Sequence, residues 1–67
     1  MIYEEVKEFI KKKVIITDID GHIFRGIITN TESEVESASG KEEIEVDADG
    51  VIYGIPIDEV RHVMEIA

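Results

Sequence analysis

The apolar positions change period at Val14. Before it, Ile2, Val6, Phe9 and Ile10 fall at i, i+4, i+7 and i+8, which is one face of a helix. Glu4 and Glu5 stand near the start of this segment and Lys11, Lys12 and Lys13 near its end, an order that suits the helix dipole. The spacing predicts a short amphipathic helix over about 2–12, which must pack on something to persist. From Val14 the runs become short and β-branched. "VIITDI" and "HIFRGIITN" flank Asp20-Gly21. Asp-Gly between two such runs predicts a hairpin with positive φ at both central residues. Phe24 and Ile28 share a face of the second run, with Gly26 between them.

"TESEVESASGK", 31–41, is polar and predicts a mobile acidic loop. "EEIEVDA" alternates, with Ile44 and Val46 inward and Glu43, Glu45 and Asp47 outward. Asp49-Gly50 predicts a second hairpin turn into "VIYGIPI", where Pro56 closes the strand or puts it at an edge. "DEV" predicts one turn of 3₁₀ helix, and "RHVMEI" the last strand. The pattern describes a single mostly β domain over 1–67. A helix is followed by five short strands, over about 14–66, that curl into a small barrel.

Composition sharpens this. Ile and Val together number 20 and Leu is absent, and branching at Cβ favours pleated strands. A 67-residue chain buries only about 60% of its unfolded surface, so its stability margin is thin. There is no Cys, hence no disulfide framework and no thiolate metal site. No apolar run approaches the roughly 18 residues that a membrane span needs. The expectation is a soluble cytoplasmic protein without membrane contact. The formal charge is −9, unevenly spread. Residues 1–13 carry four Lys against three Glu, while 14–67 carry 13 acids against Arg25, Lys41 and Arg61. An acidic barrel repels phosphate backbones and favours a basic protein surface as partner.

Asp-x-Asp-Gly occurs twice, at 18–21 and 47–50. The first copy resembles the active-site motif of haloacid-dehalogenase-type phosphotransferases, with Asp18 as nucleophile and Asp20 as acid–base. Only 46 residues follow Gly21, too few for a doubly wound sheet. A tight hairpin explains both copies. Glu45, Asp47, Asp49 and Gly50 fit the opening of a calcium loop, but Pro56 stands where its bidentate Glu is required. His22 and His62 have no ligand partner at metal-site spacing. No nucleophile–base set, P-loop or dinucleotide fingerprint is present. The reading is a non-enzymatic binding module without metal or cofactor. Its candidate contacts to RNA or a protein partner are Lys11, Lys12 and Lys13, Tyr53 as a stacking ring, and the acidic loop with the glutamates that follow it, 31–43.

Asp20-Gly21, then Phe24 and Gly26, with Ile28 beyond, resemble the first signature of the Sm-like family of small barrels. Ile52-Tyr53-Gly54 resembles its second. Bent strands need positions without Cβ, which suits Gly26 and Gly54. The resemblance implies an N-terminal helix, five strongly bent strands and a homo-oligomeric ring that binds uridine-rich RNA. The positions matching the family's base-holding Asp and Asn are Glu32 and Glu36, and Tyr53 replaces its Arg. Losing that guanidinium removes a stacking cation. The order Asp-Gly, "EEIEV", "DADG" and "IPIDEVRHVM" is also similar to the bacterial Rho-inhibitor proteins, acidic Sm-like chains. That resemblance implies binding to a protein through an acidic surface.

Overall fold

A computed structural model describes residues 1–66. Helix α1 spans Tyr3–Val6 and continues as a 3₁₀ turn, Lys7–Phe9. The strands are β1 (Lys13–Asp18), β2 (Ile23–Glu32), β3 (Glu43–Ala48), β4 (Val51–Pro56) and β5 (Val60–Glu65), with a 3₁₀ turn at Ile57–Glu59 between the last two. All pairings are antiparallel, in one sheet of order β4-β3-β2-β1-β5. The expected mostly β fold with a short N-terminal helix is present.

The core-facing sides of the strands wrap around one cluster. Val6, Val14, Ile16, Ile28, Ile44, Val46, Ile55, Ile57, Val60 and Val63 are buried, with Met1, Phe9, Ile10 and Phe24 packed against them. Nearly every buried residue is Ile or Val, as a sheet curled on itself demands. Phe24 and Ile28 do share the inner side of β2. Gly26 lies between them, and its Cα rests against the Asp47 carbonyl of β3; a Cβ there would stand 2.2 Å from that oxygen. The register shifts between Ile28 and Asn30, so the long β2 turns from its partner β1 to its partner β3.

The N-terminal helix is shorter than its periodicity predicts. Ile10 is extended and Lys11 is left-handed, at φ 67°. The Lys11 N–H donates to the Ile28 carbonyl at 2.6 Å, and the Ile28 N–H donates to the Lys12 carbonyl at 3.2 Å. Hydrogen bonding to β2 thus ends the helix before the lysines, which lie beyond its last turn and do not complement its dipole. Ile2, assigned to the apolar face, is 62% exposed. It is the N-cap, and its N–H donates to the Glu5 carboxylate at 3.1 Å. The acidic loop is also displaced: β2 runs through Glu32, so the connection covers 33–42 rather than 31–41.

The two Asp-Gly turns differ. Asp49 (φ 53°) and Gly50 (φ 84°) both have positive φ, the two-residue type I′ geometry expected of that motif. In the first hairpin only Gly21 does, at φ 86°. The Asp18 N–H donates to His22 and the Gly21 N–H to Asp18, both at 3.0 Å. This is a three-residue loop over Ile19, Asp20 and Gly21, with the glycine as its left-handed bulge. In both motifs the leading aspartate caps the turn. Asp18 Oδ1 accepts the Asp20 and His22 amides at 2.9 and 2.8 Å, and Asp47 Oδ1 accepts the Gly50 amide at 2.8 Å.

Candidate partner-binding surface

Alternation on β3 puts Glu43, Glu45 and Asp47 on the outer side of the sheet, as their spacing predicts. The register completes the surface. Glu32 of β2 stands opposite Glu43, and Asn30 opposite Glu45. On the other flank Pro56 faces Glu43, Gly54 faces Glu45 and Ile52 faces Asp47. Like charges directly opposite each other in a ladder repel, yet Glu32 and Glu43 are such a pair. Among the described residues no salt bridge reaches Glu32, Glu36, Glu43 or Glu45. Lys41, near them in the chain, is engaged by Asp58 at 3.5 Å and Glu59 at 3.7 Å.

Glu43 departs from its expected exposure: only 7% of the residue is accessible. Its carboxylate lies across Gly54, where a Cβ would come within 2.6 Å of its Oε1. Gly54 therefore makes room for a side chain, whereas Gly26 makes room for backbone. Among the described residues no hydrogen-bond donor is within reach of the Glu43 carboxylate. No buried side-chain oxygen is both sealed from solvent and unpaired, so the Glu43 oxygens open toward the outer surface.

Partial burial pushes the Glu32 carboxyl above the ordinary carboxylate range. The charge of Glu45, a hydrogen bond shared with it, and the charges of Glu43 and Glu36 push the same way. A carboxyl raised in the fold binds its proton more tightly there than in the unfolded chain. Its ionisation opposes folding above the raised value, and the penalty vanishes as pH falls through that value into the ordinary range. Glu32→Gln is therefore expected to raise the melting temperature at neutral pH, with a gain that shrinks on acidification. Thermal melts of both proteins across a pH series check this; a gain independent of pH would assign it another cause.

The residues grouped by sequence as one contact surface fall in three places. Glu32 and Glu36 do come together, with Glu36 reached through the turn that starts at Ser33, whose hydroxyl donates to Glu36 Oε1 at 3.1 Å. Lys11, Lys12 and Lys13 are exposed at the Ile27–Ile28 end of the β1–β2 ladder, roughly 15 Å along β2 from Glu32. Lys12 is 3.9 Å from Glu65. Tyr53 pairs with Val46 and so faces the core side, away from Glu43. It is 41% exposed at the rim, and its ring meets Phe24 edge-on, with centroids 5.3 Å apart.

Asp18, Asp20 and His22 offer ligand atoms within 4.8 Å of one another, a cluster that sequence spacing did not disclose. The hairpin already uses it. Asp18 accepts two turn amides, and its Oδ2 is 3.1 Å from His22 Nδ1. Burial pushes the Asp18 carboxyl up, but the His22 amide, the His22 ring and the Asp20 amide outweigh it and hold it below the ordinary range.

Scanned against protein-family models the chain matches none, and no curated protein matches it in sequence. Among solved structures it is similar to "YaeO bound to Magnesium" from Vibrio cholerae O395, with a TM-score of 0.85. The chain shares the YaeO fold. The likeness covers 100% of this chain and 86% of that one at 13% identity. Glu43 and Glu45, outward by their alternation, join Glu32 through the strand register; the sequence signal for them is an alternating acidic strand with few cations near it. Among the described residues, no helix is long and apolar enough to cross a membrane.

Proposed function

We propose that the chain is a non-enzymatic module that docks, through the outer acidic side of β2 and β3, on the basic surface of another protein. The observation that carries this reading is the group Glu32, Glu36, Glu43 and Glu45, which no salt bridge among the described residues reaches. The resemblance of the sequence to the bacterial Rho-inhibitor proteins supports it, and the fold shared with YaeO is compatible with it. A surface of this sign draws basic partners by long-range attraction and disfavours nucleic acid. The test mixes the purified chain at low salt with purified Rho in one series and with uridine-rich RNA in another, and follows complex formation by light scattering. The expected result is a complex with the protein and none with the RNA. A salt-sensitive complex with the RNA and none with Rho would sink the reading.

A second reading, an Sm-like homo-oligomeric ring that binds RNA, rests on the exposed Lys11–Lys13 segment and on the unpaired outer edges of β4 and β5. It requires a solution mass several times the 7.6 kDa subunit. A monomer would remove its support.

A further inference from the structure

The acidic surface has an internal geometry that general acidity does not explain. Glu43 and Glu45 project from the same side of β3, and Glu32 stands across from the first and diagonal to the second. Cross-strand and diagonal neighbours in an antiparallel pair lie about 5 and 7 Å apart. On the β4 flank Pro56 stands opposite Glu43, while Gly54, opposite Glu45, has no side chain and the Glu43 carboxylate lies across it. The result is a shelf of carboxylates from two strands, with the Glu43 carboxylate resting over the Gly54 backbone. Glu43 is the decisive member. The residue is only 7% accessible, and among the described residues its carboxylate has no hydrogen-bond donor and no salt bridge. Its oxygens open onto the shelf rather than into the core.

The spacing selects among cations. A compact metal ion needs three or more ligand atoms converging on one point. Among the described residues, only Asp18, Asp20 and His22 converge so closely, and there the Asp18 carboxylate already caps the hairpin and meets the His22 ring. The shelf carboxylates are spread along two strands instead. A guanidinium matches that spread. It is planar, always charged, and carries five donors that can bridge two carboxylates at once. An ammonium, a point charge, gains less from separated acceptors.

We propose that Glu32, Glu43 and Glu45, with Glu43 seated over Gly54, form a receptor for an arginine side chain presented by a basic partner protein. This rests on the protein-docking reading above and gives it an address. Glu36, carried by the 33–42 connection, adds its charge next to Glu32. The partner residue supplies the charge that the chain withholds, and its hydrogen bonds satisfy the Glu43 oxygens. The bridge is stronger there than on open surface because the Glu43 stem is already shielded from water.

The test measures binding of fluorescently labelled oligoarginine and oligolysine at neutral pH and low salt, by anisotropy. Four proteins are compared: the wild type, Glu43→Gln/Glu45→Gln, Gly54→Ala, and a control, Glu4→Gln/Glu8→Gln, which removes the same charge from the N-terminal segment. The wild type is expected to bind oligoarginine more tightly than oligolysine. The shelf double variant is expected to lose about tenfold or more, as removal of charged hydrogen bonds predicts. The control should change less than about twofold, as expected of solvated charges. Gly54→Ala, which pushes the Glu43 carboxylate off its floor, should weaken oligoarginine binding while keeping the full negative charge. Equal losses from shelf and control variants would overturn the receptor and leave the general acidic reading standing. Equal affinity for the two peptides would overturn the guanidinium assignment. No binding of either peptide to the wild type would overturn both. Melting temperatures measured alongside separate lost binding from lost folding.

Discussion

Replacing Gly26 by alanine is expected to destabilise the protein by about 3–5 kcal/mol, more than ordinary overpacking, because strand hydrogen bonds must also part. The added Cβ would meet the Asp47 carbonyl oxygen at 2.2 Å, its carbon at 2.8 Å and the Ala48 Cα at 3.0 Å. All three are backbone atoms of β3, so no side-chain rotation relieves the clash. β2 and β3 would have to separate where their register holds Ile27 against Asp47. A domain of this length has a total stability of about 3–10 kcal/mol, so the variant is expected to lose at least about a third of it. Urea unfolding followed by circular dichroism measures this directly. Gly54→Ala is the matched comparison. Its Cβ meets only the far end of the Glu43 side chain, and its cost should stay within about 1 kcal/mol. Similar costs at the two glycines would refute the distinction between a backbone approach and a side-chain shelf.

Ile44→Ala is expected to cost about 2–5 kcal/mol, the range for emptying a fully buried aliphatic site. Ile44 is completely covered and lies on β3 between Thr31 and Ile55. The core around it is built almost wholly from Ile and Val. Their stiff χ1 angles leave little freedom to collapse into the cavity, which places the cost toward the upper end. Ile44→Val, which removes one methylene, should cost about 0.5–1.5 kcal/mol. An Ile44→Ala midpoint close to the wild-type value would mean that the neighbouring strands close the gap.

Much of this architecture was legible because sheets write their geometry with a period of two. Ile44 and Val46 announced the inner face and Glu45 the outer one, and the strands fell close to their expected places. Asp49-Gly50 was legible as a type I′ turn because few other pairs tolerate two positive φ angles. Three things were not. The helix end at Phe9 depends on the Lys11 N–H donating to the Ile28 carbonyl and the Ile28 N–H donating to the Lys12 carbonyl, which are invisible until β2 is in place. The Asp20-Gly21 loop is one residue longer than its dipeptide suggests because Asp18 caps it from outside. The burial of Glu43 arises from the missing side chain of a residue on another strand, Gly54. Alternation can say which way a carboxylate points; the neighbouring strand decides how much water it meets. The candidate surface was accordingly half visible: Glu32 and Glu36 were named from resemblance, while Glu43 and Glu45 joined them only through the register.

The strand order has a consequence for how the chain finds its fold. β1 to β4 form a meander in which each strand pairs with the next in sequence, so each pairing closes only a local loop. β5 alone must return across the whole chain, bringing Glu65 back to Val14 and Val63 to Ile16, at a greater loop-closure entropy. The first four strands can zip in succession, while β5 waits for a nearly finished surface to receive it. Pulse-labelled hydrogen exchange during refolding should then show amide protection along β5 arriving last. Early protection there would mean that the two ends of the chain meet before the meander is built.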